Sequence, residues 1–269
     1  SAVPTARHLM RRWCSVSAAG VDGAYKFNAL GWPLTLLGVT NAAGRFSLCS
    51  LMLTSSASTE HFSKAFGGFA SAAHRSCGAT VGKEYTVADG ERAYRDAAIQ
   101  TFGGSPVMCW FHVTKMVREY ILAWCHGPIG DRKKLATRVL NDMGLVREAR
   151  SKPDFLVRSS ACLDAWKSAA IDQTTEHVDK AGVVTNFLEY WRQQLLETTP
   201  EWYVGAKGVD KAPGTNNAVE TAVKLLRGDF GRRVVGLSQL MPFMLSALEA
   251  ESLRPFDPNE TRPIPGAVW

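Results

Sequence analysis

Pro33 to Thr40 reads PLTLLGVT, an apolar run with no polar alternation. A strand of that kind is suited to burial on both faces, so the sheet that holds it needs cover on each side. Its neighbours fit the same sheet. Val16 to Tyr25 is a run of small and β-branched residues that carries Asp22, and Phe46 to Thr54 (FSLCSLMLT) returns after an Asn41-Ala42-Ala43-Gly44 turn. Three strands with short connections form an antiparallel meander.

The rhythm then changes. Ser58-Thr59-Glu60 offers an N-cap, and Phe62, Phe66, Phe69 and Ala73 recur at helical spacing, so 59–75 is expected to be a helix. Glu84 to Ala88 reads as a short strand ending at Asp89, Gly90 to Phe102 as a helix, and Pro106 to Trp110 as another short strand. Val113, Met116, Val117, Tyr120, Ile121 and Trp124 then mark an amphipathic helix. The order β-β-β-α-β-α-β-α predicts an α/β fold: an RNase H-like mixed five-stranded sheet of order 3-2-1-4-5. From 127 to 210 the strand signals stop, and Leu135–Leu145, Phe155–Ala170 and Val183–Leu196 read as helices. No Gly/Ser/Pro-rich tether flanks this block, so it reads as an all-helical insertion before the last catalytic helix. The expected organisation is 1–126 for the first part of the core, 127–210 for the insertion, and 211–269 for the last helices and tail. A helix is expected from about Asn216 and another over Leu237–Leu248, interrupted by Pro242.

Composition limits the classes of function. No apolar run approaches the roughly 20 residues that span a bilayer. The six cysteines are scattered without a disulfide rhythm, which points to reduced thiols in a cytosolic or nuclear compartment. The net charge of +6 admits a polyanionic partner without requiring one. Its location is more telling. Residues 132–158 hold eight Lys/Arg against three acids, nearly the whole excess. Arg132, Lys133, Lys134, Arg138, Arg147, Arg150 and Lys152 are therefore candidates for DNA phosphate contacts, with a solvated helical face as the plain alternative. Lys207, Lys211, Lys224, Arg227, Arg232 and Arg233 are expected to form a second basic strip beside Glu220.

Three acids stand out by position: Asp22 in the first strand, Asp89 at the end of the fourth, and Glu220 early in the helix after the insertion. In a 3-2-1-4-5 sheet, strands 1 and 4 are neighbours about 4.8 Å apart, so Asp22 and Asp89 would project side by side. Close carboxylates resist ionisation unless a cation lies between them, and Mg²⁺ or Mn²⁺ prefers such oxygen ligands. A third acid from a helix completes a site for two ions. The spacing leaves alternatives open. Asp22-Gly23 and Asp89-Gly90 are Asp-Gly pairs, which commonly form turns, and Glu220 with Lys224 suits a surface i,i+4 pair.

Three blocks stand out: VDGAYKFNALGWPLTLLGVTNAAGRFSLCSLMLTS, then TVADGERAYRDAAIQTFGGSPVMCWFHVTKMV with the C-x-x-H element Cys109 to His112, and NNAVETAVKLLR. Together they resemble Mutator-like element (MULE) transposase catalytic domains. They come in the family's order, with Glu220 131 positions after Asp89, room for a helical insertion. The resemblance implies a DDE transposase core: Asp22, Asp89 and Glu220 binding two Mg²⁺ or Mn²⁺ ions, cleaving DNA phosphodiesters and joining the 3′-OH to target DNA. It also implies a nuclear location, with a homodimer left open. Ala24 departs from the family's more frequent Thr. The family's zinc-type N-terminal module and C-terminal zinc knuckle are not recognisable, so a catalytic domain alone is expected, as a fragment or a repurposed descendant. Repurposing would give a domesticated DNA-binding regulator or a host-directed nuclear effector; a simple metal-dependent nuclease is the third reading.

Cys109, His112, Cys125 and His126 invite a zinc reading. On one helix the second pair lies roughly 20 Å from His112, too far for one tetrahedral site. Cys109 is then expected in the core and His112 near the active-site rim. Trp202 is a candidate to stack on an unpaired base, against burial in the core.

Overall fold

The computed structural model describes residues 2–25, 27–41, 43, 45–78, 81–88, 91–168, 177–178, 184–197, 202–207, 217–229 and 234–260. At 2–6, 177–178, 184–185, 207, 217–218, 220, 227 and 229 the description is of the backbone alone. The chain divides into two compact units, the first made of 1–107 with 210–269 and the second of 108–209.

Unit 1 opens with α1 (Ala2–Ser15), followed by β1 (Ala18–Ala24), β2 (Leu34–Thr40) and β3 (Phe46–Leu53). Next come α2 (Thr59–Cys77), β4 (Tyr85–Ala88), α3 (Arg92–Phe102) and β5 (Ser105–Met108). The five strands form one mixed sheet in the order β3-β2-β1-β4-β5. β1–β2 and β2–β3 are antiparallel and β1–β4 is parallel. All seven residues of β2 are buried, as its unbroken apolar run requires. Leu37 and Val39 pack with Phe62, Phe66, Tyr94 and Ala97 from α2 and α3, while Leu34 and Leu36 pack on the other face. That second layer comes from α8 (Asn217–Asp229) and α9 (Leu237–Leu253) through Val219, Val223, Leu226, Leu240 and Met244. A bulge falls between Leu37 and Gly38. A Cβ at Gly38 would lie 2.3 Å from the Ser47 carbonyl oxygen and 2.4 Å from the Phe46 ring, so only glycine fits.

The stretch before Val16, for which the residue pattern gives no reading, is α1. Among its described side chains the buried apolar positions are Leu9 and Trp13, and the residue beside Trp13 is the buried Arg12. The Arg12 guanidinium donates to Ser47 Oγ at 3.0 Å and to the Glu251 and Ser252 carbonyls at 2.8 and 3.0 Å. It therefore caps the end of α9 with a cation, where a helix presents unpaired carbonyls. Lys83, also buried, does the same for α1 by donating to the Trp13 and Val16 carbonyls. Burial pushes its ammonium down to about 8.

Unit 2 holds α4 (Trp110–Trp124), α5 (Ile129–Arg147) and α6 (Lys152–Ser168). It continues with β6 (His177–Val178), β7 (Val184–Thr185) and α7 (Phe187–Tyr190), the last running on as a π-helical stretch over Trp191–Glu197. The expected all-helical block is thus corrected: β6 and β7 pair as a short antiparallel hairpin. The helix expected from Val183 starts only at Phe187, because Asn186 accepts the Glu189 amide at 2.9 Å and sets the N-terminus there. No helix among the described residues is long and apolar enough to cross a membrane.

Candidate active site

β1 reads AAGVDGA, small enough for the neighbouring layers to approach closely. A Cβ on Gly23 would lie 3.0 Å from the buried Tyr94 ring of α3. Asp22 stands in this strand opposite Leu36 of β2 and is 5% exposed. Side chains alternate along a strand. Val21 joins the α2/α3 layer and Ala24 the α8/α9 layer, so Asp22 belongs by alternation to the α8 face. α8 packs against β1, β2 and β3. The backbone of Glu220 lies on this helix; its side chain is outside the described residues. On α8 the expected buried positions Val219, Val223 and Leu226 are all in the core.

Asp89 also lies outside the described residues. β1 and β4 run parallel with Gly20 opposite Val87, and β4 ends at Ala88. Among the described residues no group of three or more His, Cys, Asp or Glu is placed to hold a metal.

The C-x-x-H element sits at the start of α4. Cys109 is fully buried, and its carbonyl accepts the Val113 amide at 3.1 Å. Burial pushes the His112 imidazole down to about 4, with Lys115 adding to the shift, so it is neutral at physiological pH. Cys125 is buried beyond the far end of the helix and His126 is exposed.

The basic candidates of unit 2 separate into two groups. Lys133, Lys134, Arg138, Arg150 and Lys152 are exposed. Arg132 and Arg147 are only half-exposed. Arg132 donates to the Leu122 carbonyl, tying α5 to α4, and the Arg147 guanidinium lies 5.1 Å from the Trp110 ring centre. Burial lowers the pKa of Arg147. These two cations tie helices together. Trp202 is packed in the core, the alternative to a stacking platform. It is 1% exposed, stacks on Trp110, meets Phe155 and Trp191 edge-on, and donates its indole N–H to the Leu195 carbonyl at 2.8 Å. It has no open face for a base. On α8, Lys224 is exposed and the Arg227 side chain is outside the described residues; so are the Lys207 side chain, Lys211, Arg232 and Arg233.

Residues 18–116 match the family model of the MULE transposase domain. No curated protein matches the chain. The MULE match begins at the first residue of β1 and ends within α4, so it takes in the five strands, Asp22, position 89 and the C-x-x-H element. Glu220 lies beyond it. The MULE match points to a transposase-related function.

Proposed function

We propose that the chain is a transposase-type catalytic domain of RNase H-like fold that cleaves and joins DNA phosphodiesters with Asp22, Asp89 and Glu220. The observation that carries this reading is the position of Asp22. It is a buried carboxylate on the central strand of a 3-2-1-4-5 sheet, on the face covered by the helix that bears Glu220, inside the MULE match. In the parallel β1–β4 pair, Asp22 follows Gly20 by two residues and Asp89 follows Val87 by two. Unit 2, 108–209, interrupts unit 1 and overlaps the stretch 127–210 expected as a helical insertion, and we take that stretch as the insertion.

The donor set is chemically consistent. Three carboxylates are hard oxygen ligands, suited to Mg²⁺ or Mn²⁺, and Asp22 is held out of bulk water on a strand with neighbours on both sides. Two such ions, when bound, supply Lewis-acid activation of water and of the scissile phosphate. The strand fixes the Asp22 carboxylate, and α8 brings Glu220 from the facing layer. The exposed Lys133, Lys134, Arg138, Arg150 and Lys152 of unit 2, with Lys224 of α8, would contact DNA phosphates.

Plasmid nicking tests the reading. The protein is incubated with supercoiled DNA and Mg²⁺ or Mn²⁺, beside Asp89→Ala and Asp22→Ala. Nicking that requires the metal and is lost in both variants is the expected outcome. DNA binding without nicking in the wild type would overturn the catalytic assignment and leave a binding protein.

A further inference from the structure

A cavity of about 320 Å³ opens in unit 1 between the start of β3 and the end of α9. It is lined by Arg45, Phe46, Glu251, Arg254, Pro255 and Phe256. That volume lies at the small end of the range for small-molecule sites, about 300 to 1,000 Å³. It is far from Asp22. Asp22 is level with Leu36, and Leu36 with Leu51 of β3, whereas Phe46 is five residues further along β3. At about 3.4 Å per residue and about 4.8 Å per strand, Asp22 and the cavity are roughly 20 Å apart.

The walls of this cavity are fixed. The Phe46 ring lies over Gly38, and Arg12 lies 5.7 Å from the centre of the Phe256 ring. Arg12 also holds the backbone at 251, 252 and 254 through their carbonyls. Asn41 donates to the Asp257 carbonyl at 2.8 Å, and the Ala43 amide to the Glu260 carbonyl at 3.0 Å. The residues that would grip a ligand are thus set by contacts behind them.

The charges are unevenly satisfied. Glu251 is buried, accepts Ser47 Oγ at 2.9 Å and lies 3.5 Å from Arg12, so one cation already balances it. Arg254, 2.9 Å from the same carboxylate, is surplus charge, and its side chain is 67% exposed. Arg45 is 61% exposed and meets Glu260 at 3.3 Å. Exposed pairs of that kind contribute little, so a doubly charged phosphate competes for the guanidinium. Two rings beside two available guanidinium groups define a ligand with a flat apolar part and an anionic part.

We propose that this cavity holds a nucleotide unit, its phosphate on Arg45 and Arg254 and its base against Phe46 and Phe256. The unit comes either from an unpaired DNA strand or from a free nucleotide, and the chemistry of the site is common to both. The proposal stands on these residues alone and is independent of the acids.

Titration of the full chain distinguishes the sources. The probes are deoxyadenosine monophosphate, a short single-stranded oligodeoxyadenylate, and deoxyadenosine as the control without phosphate. The variants are Arg45→Gln with Arg254→Gln, Arg45→Gln alone, and Glu260→Gln. Saturable binding of at least one phosphorylated probe is expected, weakened roughly tenfold in the double variant, as for loss of charge-assisted bonds. Weakening confined to the oligonucleotide assigns the site to a strand, and weakening confined to the mononucleotide assigns it to a free nucleotide. Glu260→Gln removes the competing carboxylate and should tighten binding. If the double variant melts early, Arg45→Gln alone decides. Binding of neither phosphorylated probe, affinities unchanged by these arginine substitutions, or looser binding by Glu260→Gln each overturns the proposal.

Discussion

The two units differ in how much charge their interiors hold. Unit 1 buries ionic groups and gives each a partner: Arg12 meets Glu251, and Lys83 donates to two carbonyls. Unit 2 packs rings. Trp166 and Trp191 meet edge-on with centres 4.8 Å apart, Trp191 and Trp202 at 5.7 Å, and Phe155 and Trp202 at 5.1 Å. Two of the indole N–H groups are closed off locally, Trp166 donating to Asp142 and Trp202 to the Leu195 carbonyl, each at 2.8 Å. Unit 1 packs rings too, with Trp13 meeting Phe69 and Phe102 at 4.9 and 4.8 Å between centres, and it adds polar ties between its first and last elements. Unit 2 relies on packing.

The largest expected effect tests that packing. Trp202→Ala removes a ring that touches three others and should destabilise by roughly 4 kcal/mol, in the range for truncating a large buried aromatic. Hydrogen exchange read by mass spectrometry localises the loss. Faster exchange in α5 and α6, with β1 to β3 unchanged, is expected. Equal acceleration in β1 to β3 would break the comparison, because the ring cluster would then support both units.

Arg12→Met tests the other half. It leaves Glu251 buried beside Arg254 alone and uncaps the end of α9, and breaking a buried pair costs about 3 kcal/mol. The paired variant Arg12→Met with Glu251→Met should recover much of that, since two apolar side chains leave no charge stranded. Urea unfolding measures both. If the double variant is no more stable than the single one, the tie acts through the α9 carbonyls and not through the charge pair.

Much of unit 1 is legible in its residues, because short connections leave β1 to β3 few alternatives and because the buried face of α2 is spelled out by Phe62, Phe66, Phe69 and Ala73. What escapes a pattern reading escapes for physical reasons. Among its described side chains α1 buries the apolar Leu9 and Trp13, and a further anchoring contact is made by a charged residue, Arg12. The β6–β7 hairpin has two residues per strand, too few to show alternation. Trp202 illustrates the limit at the site, because a tryptophan for stacking and a tryptophan for packing are the same letter, and only its burial separates them. Asp22 was legible as a candidate because an acid within a strand of small and apolar residues needs a reason to be there. Position 89 and the Glu220 side chain lie outside the described residues, so convergence of the three acids rests with nicking.

The smallest effect concerns His112, which sharpens the contrast because unit 2 tolerates it by keeping it neutral. Burial and then Lys115 bring its pKa from 6.5 down to about 4. Between those values the unfolded chain binds a proton that the folded chain does not. Its contribution to stability is therefore full above pH 6.5 and is lost as the pH falls toward 4. Because the ring is half-exposed, solvent screening reduces the effect to something on the order of 1 kcal/mol. Urea titrations at pH 7 and pH 5 of wild type and His112→Gln measure it, the glutamine replacing a neutral imidazole with a group that does not titrate. The wild type should lose more stability on acidification than the variant. An equal loss in the two proteins would mean that His112 already carries its proton in the fold, and unit 2 would then share with unit 1 the habit of holding charge inside.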